Sequence, residues 1–529
     1  MIKGEILGDG TYGIVYSCSN INTGEKYAIK RNLREKTTLF LSSVRELDLL
    51  NKLKDHPHII KLEFVSYKNP FVGNEFESLD CKERKNQSDD EIHFIFEKAS
   101  YNLYQYVDKF KLYPDYGLLK RYMIQILLSI EYMHKHSIIH CDLKPQNILV
   151  MEDAIDVLGD KNIIKICDMG LSIPYTYQGC QTPNVVTSWY RAPEIILGYP
   201  HYDYKSDIWS IGCIFFEIIA GIQFLAKTQE NDNALVSKIL SALPEELSIK
   251  MMRSLITSNK WKKIKLYAYH NPKGKRKSWV DKLNLSKQKV LEFEKNAGSL
   301  GLFCDLLDQM FQFDWDVRID ITKCIAHPFF QDKKELIDET RKLYNPEHSF
   351  ERMLYITPCQ ERNWVKEVVN NIFNNRHEKP IIKWYNHRIL FQSLHLFDSY
   401  ISGIYEDKEL SINTANILTK YDTLLRFYSF LYLCVKYFGV LDYNILFSDV
   451  FSSEYFTSQA KLEIEIFERG IVQKMDHDIY RVSIYEAADN FIIPMNDNHI
   501  LKLLKLYLDI NQKLIIKPSN FVKLALDLK

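Results

Sequence analysis

Five short stretches of this 529-residue chain carry side chains whose types and order suit chemistry on phosphate. The run Gly8-Asp9-Gly10-Thr11-Tyr12-Gly13-Ile14-Val15 lies between two strand-like segments. There Gly8, Gly10 and Gly13 let backbone amides approach phosphate oxygens with no Cβ in the way. A strand follows it, whereas the glycine turn of a dinucleotide-binding unit opens a helix. Lys30, in Tyr27-Ala28-Ile29-Lys30, adds a point charge for the same phosphates; among apolar neighbours it needs an acidic partner, for which Glu46 is the candidate. In His140-Cys141-Asp142-Leu143-Lys144-Pro145-Gln146-Asn147, Asp142 can accept the proton of a hydroxyl. Asn147, with Asp168 of Asp168-Met169-Gly170, offers the hard oxygens that hold magnesium against ATP phosphates. The set suits transfer of a phosphoryl group to a hydroxyl.

The elements that must position these residues follow from hydrophobic periodicity. Ile6, Ile14, Val15, Tyr16, Tyr27 and Ile29 predict two strands around the glycine turn. Val44, Leu47, Leu50 and Leu53 recur at three-residue steps and predict a helix that stops at His56-Pro57. A charged loop insertion, Glu77 through Asp90, separates a strand ending near Tyr67 from one near Ile92. The pattern over 118–135 is helical, and the one over 206–220 is apolar on all sides, as in a buried helix. A small strand-rich lobe thus precedes a larger helical one.

Composition narrows the class. With 68 basic and 68 acidic residues, the chain has no bias toward nucleic-acid phosphates. At 46% hydrophobic it is rich enough in apolar residues to fold. The segment 260–277 carries eight Lys/Arg among aromatics and is expected to be a solvated insertion, with a nucleic-acid or substrate-docking patch as the alternative. Ten dispersed cysteines contain no C-x-x-C, which argues against a disulfide framework or a zinc site. The first residues show no secretory leader pattern, and the longest apolar run, Leu424 to Leu441, is broken by Arg426 and Lys436. An intracellular protein of the cytoplasm or nucleus, with no membrane span, is the expectation.

In this order, over about residues 1–335, the motifs resemble those of the eukaryotic protein kinases, with Ala192-Pro193-Glu194, Asp207-Ile208-Trp209-Ser210 and Arg318 completing the set. The resemblance implies an α+β bilobal kinase fold using ATP and Mg2+, with Val15 and Ala28 beside the nucleotide and a Glu194–Arg318 pair in the large lobe. Lys144 and Thr187 are similar to the serine/threonine branch. The run Val185 to Glu194 resembles the segment that makes cyclin-dependent and related kinases proline-directed, so Ser/Thr-Pro substrates are expected. Leu41 to Glu46 resembles the cyclin-contacting helix, with Arg45 and Glu46 retained and Phe40 in place of the leading proline. Thr11 and Tyr12 match the family's inhibitory phosphorylation pair.

The last third changes character after Asn345-Pro346, with helical patterns near 361–374, 384–402, 420–437, 444–451 and 457–474. Arg362-Asn363-Trp364-Val365, the run Leu394 to Ser402, Phe430 to Tyr437 and Ile466 to Arg469 resemble the first, second, third and fifth helices of a cyclin box. The division expected is a kinase domain over 1–345, a linker over 346–354, an all-α cyclin-box-like domain over 355–475, and a truncated second repeat over 476–529. The resemblance makes Lys436 and Glu468 the residues that grip the segment leading into the Arg45-Glu46 helix, so the chain would carry its own activator. The alternative is a catalytically weak kinase-fold decoy that binds cyclins or kinase regulators.

Three departures bear on regulation. Cys141 and Ile173 stand where the cyclin-dependent group has arginines, and Met169 replaces a phenylalanine. Thr182 occupies the place of the family's activating phosphothreonine, yet a dianionic phosphate needs several guanidinium groups to order a loop, and only Arg45 of three remains. Thr182→Ala should therefore keep most of the wild-type activity in a peptide assay. An inactive Thr182→Ala, together with an inactive unphosphorylated wild type, would contradict this.

Overall fold

The computed structural model describes residues 1–10, 13–32, 41–66, 70–71, 92–111, 114–174, 188–199, 203–225, 232–242, 278–344, 354–356, 360–374 and 387–406, with single positions among 423–434 and at 507 and the strand 514–516. The chain divides into two compact units. One gathers Met1–Leu33 with Leu53–His348, and the other gathers Arg34–Lys52 with Ser349–Lys529.

The first unit opens on an antiparallel sheet of β1 (Ile2–Gly10), β2 (Gly13–Ser19), β3 (Lys26–Asn32), β4 (Leu62–Ser66) and β5 (His93–Glu97), in spatial order β1-β2-β3-β5-β4. Register sets which side chains share a face, because side chains alternate along a strand. Val15 lies opposite Lys30, and Ala28 lies opposite Phe96, so Val15, Ala28, Lys30 and Phe96 share one side of the sheet. The three-stranded sheet of β6 (Tyr101–Asn102), β8 (Ile148–Ile155) and β9 (Lys161–Ile166) follows, and the short β7 (Ile138–Ile139) pairs with β10 (Ile173–Pro174).

The helical part of this unit is built around α3 (Tyr116–Lys135) and α5 (Lys205–Ala220), introduced after α2 (Leu103–Phe110) and α4 (Pro193–Ile196). Helix α3 starts two residues before the periodicity predicts, because the Asp115 carboxylate caps it by accepting the Leu118 N–H at 3.0 Å. Its Tyr122, Met123, Ile126, Leu127, Ile130 and Met133 are all fully buried, which makes it the axis of the core. Helix α5 is buried nearly all round, as expected, and ends at Gly221 in the left-handed conformation at φ +72°. Trp209 on α5 meets the Phe311 ring edge-on at 5.1 Å. Helices α6 (Asp232–Ala242), α7 (Trp279–Leu283), α8 (Lys287–Ala297), α9 (Leu300–Met310), α10 (Ile321–Ile325) and α11 (Lys334–Lys342) complete the lobe.

The second unit contains α1 (Leu41–Leu53) except its last residue, α12 (Gln360–Asn374), α13 (His387–Glu406) and two short strands, β11 (Leu354–Ile356) and β12 (Leu514–Ile516). In α1 the five consecutive residues Glu46, Leu47, Asp48, Leu49 and Leu50 are all buried, so the helix is covered on every side. Helix α13 begins three residues later than the sequence pattern suggests and runs on through Gly403 to Glu406. The helical reading of this third did not anticipate β11 and β12, which pair antiparallel, with Tyr355 opposite Ile515. Residue 354, expected in a linker, is thus part of a strand. Among the described residues no helix is long and apolar enough to cross a membrane.

A buried imidazole cluster sits where the first unit resumes after α1. The His56 ring stacks on Tyr132 at 5.0 Å and meets Tyr344 at 4.5 Å, while Tyr132 meets His136 at 4.3 Å. The His58 N–H donates to His56 Nδ1 at 3.2 Å, and His58 Nδ1 lies 3.1 Å from the Ile164 carbonyl oxygen. Burial, as the largest influence, lowers His58 from its ordinary 6.5 to about 4 and puts His56 well below 6.5. Both rings are neutral in the fold. Their stabilisation is complete above pH 6.5 and is lost as pH falls toward 4, because the unfolded chain takes up protons that the fold excludes. For His58 alone the loss amounts to about 3 kcal/mol. His58→Asn should shrink the drop in chemical-unfolding midpoint between these pH values; wild-type and variant curves that fall in parallel would contradict this.

Candidate active site

The strand-to-loop sequence from β7 to β8 carries the catalytic candidates, and a single carboxylate from α5 holds it. Asp207, which is 1% exposed, accepts the His140 N–H at 2.9 Å and the Cys141 N–H at 3.1 Å, and its Oδ2 is also 2.9 Å from His134 Nε2. Two backbone amides and one ring nitrogen on one buried carboxylate fix the loop's position. Cys141 is thereby kept at φ +67°, a left-handed conformation that non-glycine residues rarely take.

Fixing Cys141 fixes the next residue. The Asp142 N–H donates to His140 Nδ1 at 3.2 Å, and Asp142 Oδ2 accepts from Lys144 Nζ at 2.7 Å and from Asn147 Nδ2 at 3.0 Å. Asn147 Nδ2 also reaches the Asp142 carbonyl at 2.8 Å. Asp142 Oδ1 is buried and makes no hydrogen bond in the structure. A buried carboxylate oxygen without a donor is expensive, so Oδ1 is set for a hydroxyl donor from outside the chain. Burial raises the Asp142 carboxyl above its usual range, against the lowering influence of Lys144.

Asp168 is held in the left-handed region at φ +62° directly after Cys167, whose N–H donates to the Asn147 carbonyl at 2.9 Å. Its Oδ1 lies 3.0 Å from Lys30 Nζ. Burial pulls the Asp168 carboxyl upward, but the Lys30 ammonium outweighs it and holds the group below the ordinary carboxylate range. The structure therefore brings Lys30 to Asp168 and gathers Asp142, Lys144 and Asn147. Glu46, expected as the lysine's partner, is 2% exposed on α1, which also carries the part-buried Arg45.

Two features test whether ATP and a divalent cation fit here. Among the described residues, none beyond its chain neighbours comes within 4 Å of where a Cβ on Gly8 would sit, which leaves room for a phosphate oxygen there. Gly10 pairs with Gly13 at the end of the hairpin. Among the described residues no cluster of three His, Cys, Asp or Glu side chains forms a metal cage. Magnesium takes one or two protein oxygens and completes its shell with phosphate and water. Asp168 and Asn147 are the side chains placed to supply them.

Several functional positions were not singled out from sequence. Asp207 was read as part of a motif without its role as the loop's anchor. Phe96, 8% exposed and opposite Ala28, shares the face of β5 that Lys30 looks across, and strand register is the only signal that finds it. Tyr190 donates to Glu217 Oε2 at 2.6 Å and its carbonyl accepts from Ser210 Oγ at 2.7 Å, tying the segment before Ala192 to α5. Burial pushes the Glu217 carboxyl up to about 7. Thr11, Tyr12, Thr182, Thr187, Lys436, Glu468 and the segment 260–277 lie outside the described residues.

The family described as protein kinase domain matches residues 1–330, well over half of the chain, and the chain belongs to that family. It is similar to Cyclin-dependent kinase D-1 of Arabidopsis thaliana, 28% identical over 383 residues that cover 67% of this chain and 81% of the relative.

The ion pair expected between Glu194 and Arg318 is present. Nη1 and Nη2 of Arg318 donate to the two Glu194 oxygens at 2.7 and 2.9 Å, and both side chains are inaccessible to solvent. The guanidinium also donates to the Gln312 and Lys205 carbonyls and lies over the Trp209 ring. Removing one partner of such a pair strands a charge in the core. Arg318→Met should lower the free energy of unfolding by about 3–5 kcal/mol, measured by denaturant titration; a change below about 1 kcal/mol would contradict the role.

Proposed function

We propose that this chain is an ATP- and Mg2+-dependent serine/threonine kinase of the cyclin-dependent type, directed to Ser/Thr followed by Pro and activated by its own C-terminal helical segment. The kinase chemistry rests on Asp142, Lys144, Asn147, Lys30 and Asp168 in the arrangement above. Asp142 Oδ1 orients the substrate hydroxyl and receives its proton; Lys144, already on the other Asp142 oxygen, sits where a transferring phosphoryl group gathers charge. Lys30 meets phosphate oxygens, and Asp168 with Asn147 would hold the metal. When bound, the metal neutralises charge on the phosphate oxygens.

The observation that carries the activation reading is the make-up of the second unit. Residues 34–52, with Arg45 and Glu46, segregate with 349–529 into one compact body, apart from the rest of the kinase fold. Within that body Arg362 and Asp398, in the stretches similar to the first and second helices of a cyclin box, form a buried ion pair at 3.1 Å between α12 and α13. The similar protein from Arabidopsis thaliana is named a cyclin-dependent kinase, which supports the same class of regulation. A covalent tether gives an effective concentration that reaches about the millimolar range when it spans the sites, so a weak activating contact stays engaged. A decoy would have no use for an intact Asp142–Lys144–Asn147 constellation.

Lys30→Met and Asp168→Asn should leave the fold intact and cut phosphorylation of a Ser-Pro peptide by at least about a hundredfold, with a Ser-Ala peptide a poor substrate of the wild type. Full activity in either variant would end the catalytic account. Specific activity of the full chain should not change on dilution; a steep fall would place the activator on another chain.

A further inference from the structure

Tyr507 lies buried in the second unit. Arg362 Nε donates to Asp398 Oδ1 at 3.1 Å, and Arg362 Nη2 donates to the Tyr507 carbonyl at 2.7 Å. The Tyr507 hydroxyl donates to the other Asp398 oxygen, and the guanidinium lies 5.0 Å from the Tyr507 ring centre. Arg362, Asp398 and Tyr507 are 6%, 3% and 1% exposed, so these bonds form away from water. A few residues further on, Leu514–Ile516 pairs with Leu354–Ile356, the strand packed on α13. The tail is joined to the unit twice, by a buried polar triad and by strand pairing.

We propose that Tyr507 and the strand Leu514–Ile516 act as a strap that sets kinase output by fixing the body to which α1 belongs. The physical argument is one of mutual dependence. The two Asp398 oxygens have separate donors, and Arg362 divides its donors between Asp398 and the Tyr507 backbone. Loosening the tail therefore leaves a buried charge short of partners and loosens the α12–α13 pair as well. Because α1 belongs to the same body, a tail about a hundred residues from α13 in sequence would act on a helix near the start of the chain. Tyr507 is a positioning residue that acts through Asp398 and Arg362. The inference rests on the activation reading above.

The test uses the full-length chain, assayed well below its melting transition. Tyr507→Phe should lower kcat for a Ser-Pro peptide by about tenfold, with KM for ATP within about twofold of wild type and the folded fraction unchanged. Asp398→Asn with Tyr507→Phe should fall no further than Asp398→Asn alone, since both break one network. Ile515→Pro, which removes an amide from β12, should mimic Tyr507→Phe; if it unfolds the unit, Tyr507→Phe still decides. Unchanged kcat in Tyr507→Phe, with or without a lower melting temperature, overturns the strap, and additive losses in the double variant overturn the network. Glu46→Gln separates the two readings. If it keeps full kcat, the activation reading fails; if it is inactive while Tyr507→Phe is normal, only the strap fails.

Discussion

The site depends on one buried carboxylate. Asp207 gathers the amides of His140 and Cys141 and the ring of His134, and from that attachment follow the left-handed Cys141, the placement of Asp142, and the bonds of Asp142 to Lys144 and Asn147. A charge this deep is tolerated only with its lone pairs satisfied by oriented donors, so the loop has one low-energy arrangement. Cys141 fits because the anchoring uses backbone amides and makes no demand on its side chain. The same residue, with Ile173, joins an apolar cluster of Ile139, Ile195 and Tyr204. Where the resemblance to the family leads one to expect guanidinium groups, this chain has an apolar contact.

Much of the site was legible because its members lie close together in the chain. Asp142, Lys144 and Asn147 fall within six residues, and the glycine turn and Lys30 within two adjacent hairpins, so spacing alone suggested their meeting. What was not legible is what long-range packing decides. Asp207 reaches its amides from 66 and 67 positions away, and nothing local marks one buried aspartate as an anchor. Phe96 enters the nucleotide-facing side only through register with Ala28. Helix α3 was placed late by periodicity because its cap, Asp115, is polar and invisible to a hydrophobic count. Strands β11 and β12 are three residues each, too short for an alternating pattern to register, and they find each other across most of the last third.

The two-unit division is what the activation proposed above rests on. Kinase sequences place the first helix inside the small lobe in linear order, yet here residues 34–52 form a compact body with the last third. A helix buried on all sides, with Asp48 and Lys52 only 2.5 Å apart in its interior, has neighbours all round it.

The most direct measurement is on the full chain carrying a protease site within 346–353. Before cutting, specific activity toward a Ser-Pro peptide should be the same at every protein concentration. After cutting, it should hold at high concentration and fall on dilution below the effective concentration the tether supplied. Activity that stays constant on dilution after the cut, with the two pieces shown to have separated, would contradict activation by the C-terminal segment.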